Sequence, residues 1–116
     1  MEHLKGLRRL QTLYISYIPI GEPAMIRIGG LTNLRGLEVK LTQVGNDAIK
    51  HVKTMPSLLY LDLYGTPVSD AGLEHLKGTK LTGIDLTNTK VTPAGAEALR
   101  KALPNCSVVM ETSAAR

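Results

Sequence analysis

The stretch Leu58-Leu59-Tyr60-Leu61-Asp62-Leu63-Tyr64-Gly65-Thr66-Pro67-Val68 decides the fold. Its spaced set Leu58, Leu61, Leu63, Thr66 and Val68 recurs 24 residues earlier as Leu34, Leu37, Val39, Thr42 and Val44. A further 24 residues back stand Leu10, Leu13, Ile15, Ile18 and Ile20, and 23 residues forward stand Leu81, Ile84, Leu86, Thr89 and Val91. A second phrase keeps the same register: Glu2-His3-Leu4-Lys5-Gly6 returns three periods on as Glu74-His75-Leu76-Lys77-Gly78. A period of this length predicts a solenoid, in which each unit covers the apolar face of its neighbour. Solenoids mostly bind, and few carry chemistry, so the chain is not expected to be an enzyme.

One unit reads as a strand, a turn and a helix. Leu61-Asp62-Leu63 alternates apolar and polar residues, as a half-buried strand does. Leu61 and Leu63 are expected to point inward, with Tyr60, Asp62 and Tyr64 pointing out. Gly65 and Pro67 turn the chain, and the Thr66 hydroxyl is placed to satisfy backbone groups that the bend leaves unpaired. Ser69 is the expected N-cap of a helix over about 70–77, with Asp70 at its positive end. Gly72 and its equivalents Ala24, Ala48 and Gly95 are all small, which suits close approach of helix to sheet. In the last unit Thr92 and Pro93 mark a helix start, and Pro104 marks its stop.

At 116 residues the chain is one domain by length. It has no Phe and no Trp, so its core must be built from Leu, Ile and Val in small, similar layers. The formal charge of +4 is spread along the sequence rather than clustered. No nucleic-acid partner is expected, because no aromatic stacking platform lies among the basic residues. A single cysteine, Cys106, rules out an internal disulfide. No leader pattern and no long apolar run is present, so no membrane contact is expected and a cytoplasmic location is favoured.

The repeated phrase resembles the leucine-rich repeat family. Thr66-Pro67-Val68-Ser69-Asp70-Ala71-Gly72-Leu73-Glu74-His75-Leu76 is similar to its cysteine-containing subtype, with Thr where that subtype often has Cys. That subtype occurs in the substrate-binding parts of F-box ubiquitin-ligase subunits. A closer likeness is to bacterial, planctomycete-type arrays that use Thr at this position and end as Leu103-Pro104-Asn105-Cys106-Ser107-Val108 does. The resemblance covers about residues 2–110. It implies an α/β fold, a right-handed horseshoe with a parallel sheet on its concave side and helices on its convex side. It also implies protein–protein recognition as the role. The units would run over about 10–33, 34–57, 58–80 and 81–105, followed by a closing segment at 106–116, all within a single domain 1–116.

The first unit departs from this pattern. Ile18 stands in place of Thr, and the segment around Ile26 lacks the Asp-x-Gly-Leu phrase. No polar cap precedes Leu7 and Leu10, although solenoids normally need one. The sequence therefore reads as the C-terminal part of a longer array, and self-association through the uncapped N-terminal end is an expectation. At the other end Cys106 takes the place of a strand leucine, and Val108 to Met110 can form a last edge strand.

Few residues suggest chemistry. His3, His51 and His75 are copies of one repeat position and lack ligand spacing with Cys or Asp, so no metal and no cofactor is expected. Cys106 sits among apolar residues and reads as a structural cysteine. The outward strand positions are more informative, because in register they form columns. One reads Tyr14, Glu38, Asp62, Asp85; the column before it reads Thr12, Gly36, Tyr60, Gly83; the column after it reads Ser16, Lys40, Tyr64, Thr87. Tyrosines beside carboxylates suit a protein or peptide partner of basic character, and the glycines beside Tyr60 suggest room for an inserted side chain. The candidate partner-binding residues are thus Tyr14, Glu38, Lys40, Tyr60, Asp62, Tyr64, Asp85 and Thr87. Two other readings are a substrate-receptor fragment of an F-box protein, against which the lack of an F-box counts, and a structural or self-assembling spacer. Lys50, Lys53, Lys77, Lys80, Arg100 and Lys101 fall on the convex or flanking segments and read as a solvated surface.

Overall fold

The computed structural model describes residues 11–15, 21–30 and 33–111. Five three-residue strands alternate with helical segments: β1 Thr12–Tyr14, α1 Glu22–Ile28, β2 Gly36–Glu38, α2 Asn46–Ile49, β3 Tyr60–Asp62, α3 Asp70–Leu73, β4 Gly83–Asp85, α4 Pro93–Ala102 and β5 Ser107–Val109. All neighbouring strands pair in parallel, in chain order. Parallel pairing requires a crossover between strands, and the helical segments supply it. The result is a compact α/β fold of repeated strand–helix units, a solenoid in general form.

The pairing follows the sequence columns. Thr12 pairs with Gly36, Gly36 with Tyr60, Tyr60 with Gly83, and Gly83 with Ser107. Between the sheet and the helices lies one apolar core. Leu37, Leu61 and Ile84 form one row of it, and Val39, Leu63 and Leu86 the next, all at 1% exposure or less. Aliphatic residues recurring at the unit period fill it without large aromatic rings. The last edge strand lies at Ser107–Val109, one residue earlier than the expected segment, and Cys106 is buried beside it.

The turn after each strand is also repeated. The Thr42 Oγ1 donates to the Val39 carbonyl at 2.7 Å, Thr66 to Leu63 at 2.8 Å and Thr89 to Leu86 at 2.7 Å. These hydroxyls pair carbonyls at a bend where the strand ladder has ended. One residue before each threonine the backbone is left-handed or nearly closes the turn: Leu41, Gly65 and Asn88 have φ of 54°, 70° and 58°. The Leu41 and Gly65 N–H groups donate to Tyr64 and Thr87 carbonyls of the next unit, so the turns stack as the strands do.

The expected helix over 70–77 is in fact two pieces. After four α-helical residues in α3, the chain tightens into a 3-10 helix at Glu74–Leu76, and α2 does the same at Lys50–Thr54. A short connection that must still bring Leu73 and Leu76 onto the core accounts for the tighter winding. Ser69 occupies the N-cap position but makes no side-chain capping bond, because its hydroxyl is taken by the Asn46 Nδ2 at 2.8 Å. Thr92 does cap α4, accepting from the Gly95 N–H at 3.1 Å, with Pro93 next to it. The expected uncapped end at Leu7 and Leu10, together with Ile18, lies outside the described residues. Among the described residues no helix is long and apolar enough to cross a membrane.

Candidate functional site

The middle of the strand face is built by β1 to β4. Their register brings Tyr14, Glu38, Asp62 and Asp85 into one row, as adjacent partners. Tyr60 lies two residues before Asp62 on β3, while Lys40, Tyr64 and Thr87 follow in the turns. The eight candidate residues therefore converge on one side of the sheet, but they are not equally presented.

Tyr14 and Tyr60 are exposed, at 68% and 41%. Glu38, Lys40, Tyr64 and Asp85 are half-buried. Asp62 and Thr87 differ from the expectation that they face solvent: each is only 4% exposed. Asp62 is covered by its neighbours. Its Oδ1 accepts the Tyr64 N–H at 3.0 Å, and its Oδ2 meets the Tyr60 hydroxyl and the Lys40 ammonium, each at 3.5 Å. Thr87 is spent internally, its N–H donating to the Asp85 Oδ1 at 2.9 Å and its Oγ1 accepting from Glu111 N–H at 3.2 Å.

Tyr60 also fills the space that its flanking glycine was expected to leave. A Cβ on Gly83 would stand 3.0 Å from the Tyr60 Cδ1, so the ring lies over Gly83 rather than beside an opening. Gly36 on the other side faces the Thr12 methyl at 3.6 Å. Among the described residues, the glycines beside Tyr60 thus leave no open slot for an inserted side chain. Tyr64 is anchored too, its hydroxyl accepting from the Asn88 Nδ2 at 3.0 Å.

The charges on this face are uneven. Lys40 reaches back to pair with Glu38 at 3.0 Å as well as with Asp62, so one ammonium serves two carboxylates. Glu38 first, then Asp62, holds the Lys40 ammonium above its ordinary range. Burial pushes the Asp62 carboxyl up, against the Tyr64 N–H, which favours the carboxylate; nearby Asp85 adds to the rise. Burial likewise raises the Tyr60 phenol, with Asp62 and Asp85 reinforcing it. Asp85 forms no ion pair among the described residues, although it stands next to Asp62 in the row. Two of the three carboxylates therefore share one ammonium, and the third forms no ion pair with it.

The helix side offers a different set of groups. His51 does not stand alone on the surface: its Nε2 lies 3.0 Å from the Glu22 Oε2, which also meets Lys50 at 3.3 Å. His51 first, then Lys50, holds the Glu22 carboxyl below its usual range. Among the described residues no group of His, Cys, Asp and Glu is placed to hold a metal ion. Burial raises the Cys106 thiol, which disfavours the reactive thiolate.

Sequence reasoning missed one set of polar residues, which joins unit to unit. Asn46 Oδ1 accepts the Ser69 N–H at 3.0 Å, and the equivalent Asp70 Oδ1 accepts the Thr92 N–H at 2.8 Å. Asp70 Oδ2 also accepts the Thr92 hydroxyl at 2.6 Å. The signal was present as a polar residue one period apart, at 46 and 70. Its meaning depended on seeing that the residue caps the following unit rather than its own helix. No family model matches the chain, and a search of the curated proteins found no match.

Proposed function

We propose that the chain is a leucine-rich-repeat interaction module, a right-handed horseshoe whose concave strand face receives a basic segment of a partner protein. The excess of carboxylate over ammonium in the row Glu38, Asp62 and Asp85 is the observation that carries this reading. Exposed Tyr14 and Tyr60 border the row and supply rigid contact area of the kind favoured at binding hot spots. The partner's cation seats at Asp85, beside Asp62. Lys40 occupies the Glu38 side and competes there with any incoming ammonium. Complementary charge speeds encounter and fades with salt. The bacterial-array resemblance and the unit boundaries belong to the same proposal. They are supported by the 24-, 24-, 23- and 24-residue spacing of paired strands and by the recurring threonine turns.

The test is titration of a labelled hexalysine peptide, followed by anisotropy and by amide shifts. Binding should move the amides of Tyr60, Asp85 and Leu86. Asp85→Asn should weaken it. Lys40→Gln should strengthen it, since removing the internal ammonium frees two carboxylates. Shifts confined to the helix side, or equal binding by wild type and both variants, would overturn the strand-face reading.

A further inference from the structure

The turns that lead from the helical segments back into the strands carry a second surface, distinct from the strand face. Between the second and third units lies a hollow of about 310 Å³, lined by Lys53, Lys77 and Lys80 together with Met55 and Pro56. Lys53 and Lys77 are equivalent positions one period apart. A second hollow of about 320 Å³ shares Thr79 and Lys80 with the first and continues to Leu103 and Asn105. The two together form a trough that crosses the units. No carboxylate lines either hollow. Glu74 pairs with Lys77 at 2.8 Å from outside the lining, and no described carboxylate pairs with Lys53 or Lys80. Gly78 adopts φ +90° with nothing within 4 Å of where its Cβ would be, which leaves the backbone bare at the rim.

We propose that this trough binds an extended acidic peptide segment of a partner protein. Three features select that ligand. The three lysines line the first hollow, and the surface continues past Lys80 into the second, which suits a chain segment better than a single small anion. Their ammonium groups are flexible point charges, and no arginine fork for a bidentate phosphate is present in the lining. No aromatic ring lies there to stack a base, which disfavours nucleic acid. Beyond the lysines, the second hollow offers apolar Leu81 and Leu103 with the polar Thr82 and Asn105, a surface for the uncharged residues that flank an acidic run.

The test uses fluorescein-labelled hexaglutamate and the intact chain at low ionic strength. Saturable binding should shift the amides of Lys53, Thr79 and Lys80. Lys53→Gln combined with Lys80→Gln should weaken it roughly three- to tenfold, as expected for two exposed charge pairs. The combination Lys50→Gln with Lys90→Gln removes the same charge elsewhere on the fold and should leave it nearly unchanged. Both double variants should keep the wild-type circular dichroism. An equal loss in both would show a net-charge effect and overturn the trough. So would pyrophosphate saturating the same amides as tightly as hexaglutamate, which would make the site one for a small anion. Absence of saturation at millimolar peptide would also end the proposal.

Discussion

Asp62 and Asp70 are eight residues apart and respond to acid in opposite directions. Burial raises the Asp62 carboxyl. As pH falls through its folded pKa, the folded chain takes up a proton before the unfolded chain does, and stability is gained. At neutral pH Asp62 therefore costs stability. The Thr92 hydroxyl and N–H lower Asp70. Its contribution is present above the unfolded value of about 3.9 and is lost as pH falls through the folded one. Asp62→Asn keeps an acceptor for Tyr64 and should gain on the order of 0.5–1 kcal/mol at neutral pH. The gain should vanish near pH 3. Asp70→Ala should lose on the order of 1 kcal/mol at neutral pH and little in acid. Asp70→Asn should lose less, because Asn46 already performs the equivalent job one unit earlier. Urea midpoints across this pH range check all three variants, and parallel pH profiles for Asp62 and Asp70 variants would contradict the assignment.

Glycine at the third position of the helical segments has a reason that only neighbouring units explain. The column of small residues suggested close packing of helix on sheet. In the structure a Cβ on Gly72 would collide with the Asn46 amide, and one on Gly95 with the Asp70 carboxylate. The glycines clear a slot for the preceding unit's capping side chain. This gives a test with an unusual sign. Gly to Ala inside a helix ordinarily stabilises by about 1 kcal/mol. Gly95→Ala should instead destabilise the chain, and the penalty should shrink in an Asp70→Ala background, where the slot is empty. Additive effects in that double-mutant cycle would disprove the coupling. The same elements show what the sequence made legible. Strand pairing and the threonine turns followed from period alone, since a parallel solenoid repeats its register. The covering of Asp62, the loss of the Ser69 cap and the Tyr60 ring over Gly83 did not. Each depends on which rotamer a long or polar side chain selects among partners in the next unit, and one unit's sequence does not encode that choice.

Over the whole molecule, stability comes from each unit covering the next. A central unit has a neighbour on both sides, whereas a terminal strand has fewer, so equal truncations should not cost equally. Leu61 in β3 is fully buried between Leu37 and Ile84. Leu61→Ala should cost roughly 2–5 kcal/mol, as buried leucines do elsewhere. Val108 in β5 pairs inward only with Ile84 and is only partly buried. Val108→Ala should cost distinctly less, on the order of 1 kcal/mol, since part of its surface is already in water. The two also differ in where the loss is felt. Unfolding around Leu61 removes the cover of units on both sides and should lower amide protection in Leu37, Leu63 and Ile84 together. Unfolding around Val108 should be confined to β5 and the end of α4, with protection at Leu37 retained. Hydrogen exchange on both variants, alongside urea midpoints, separates these outcomes. Equal costs with uniform loss of protection would mean that the chain behaves as a single globular core rather than as a stack of units.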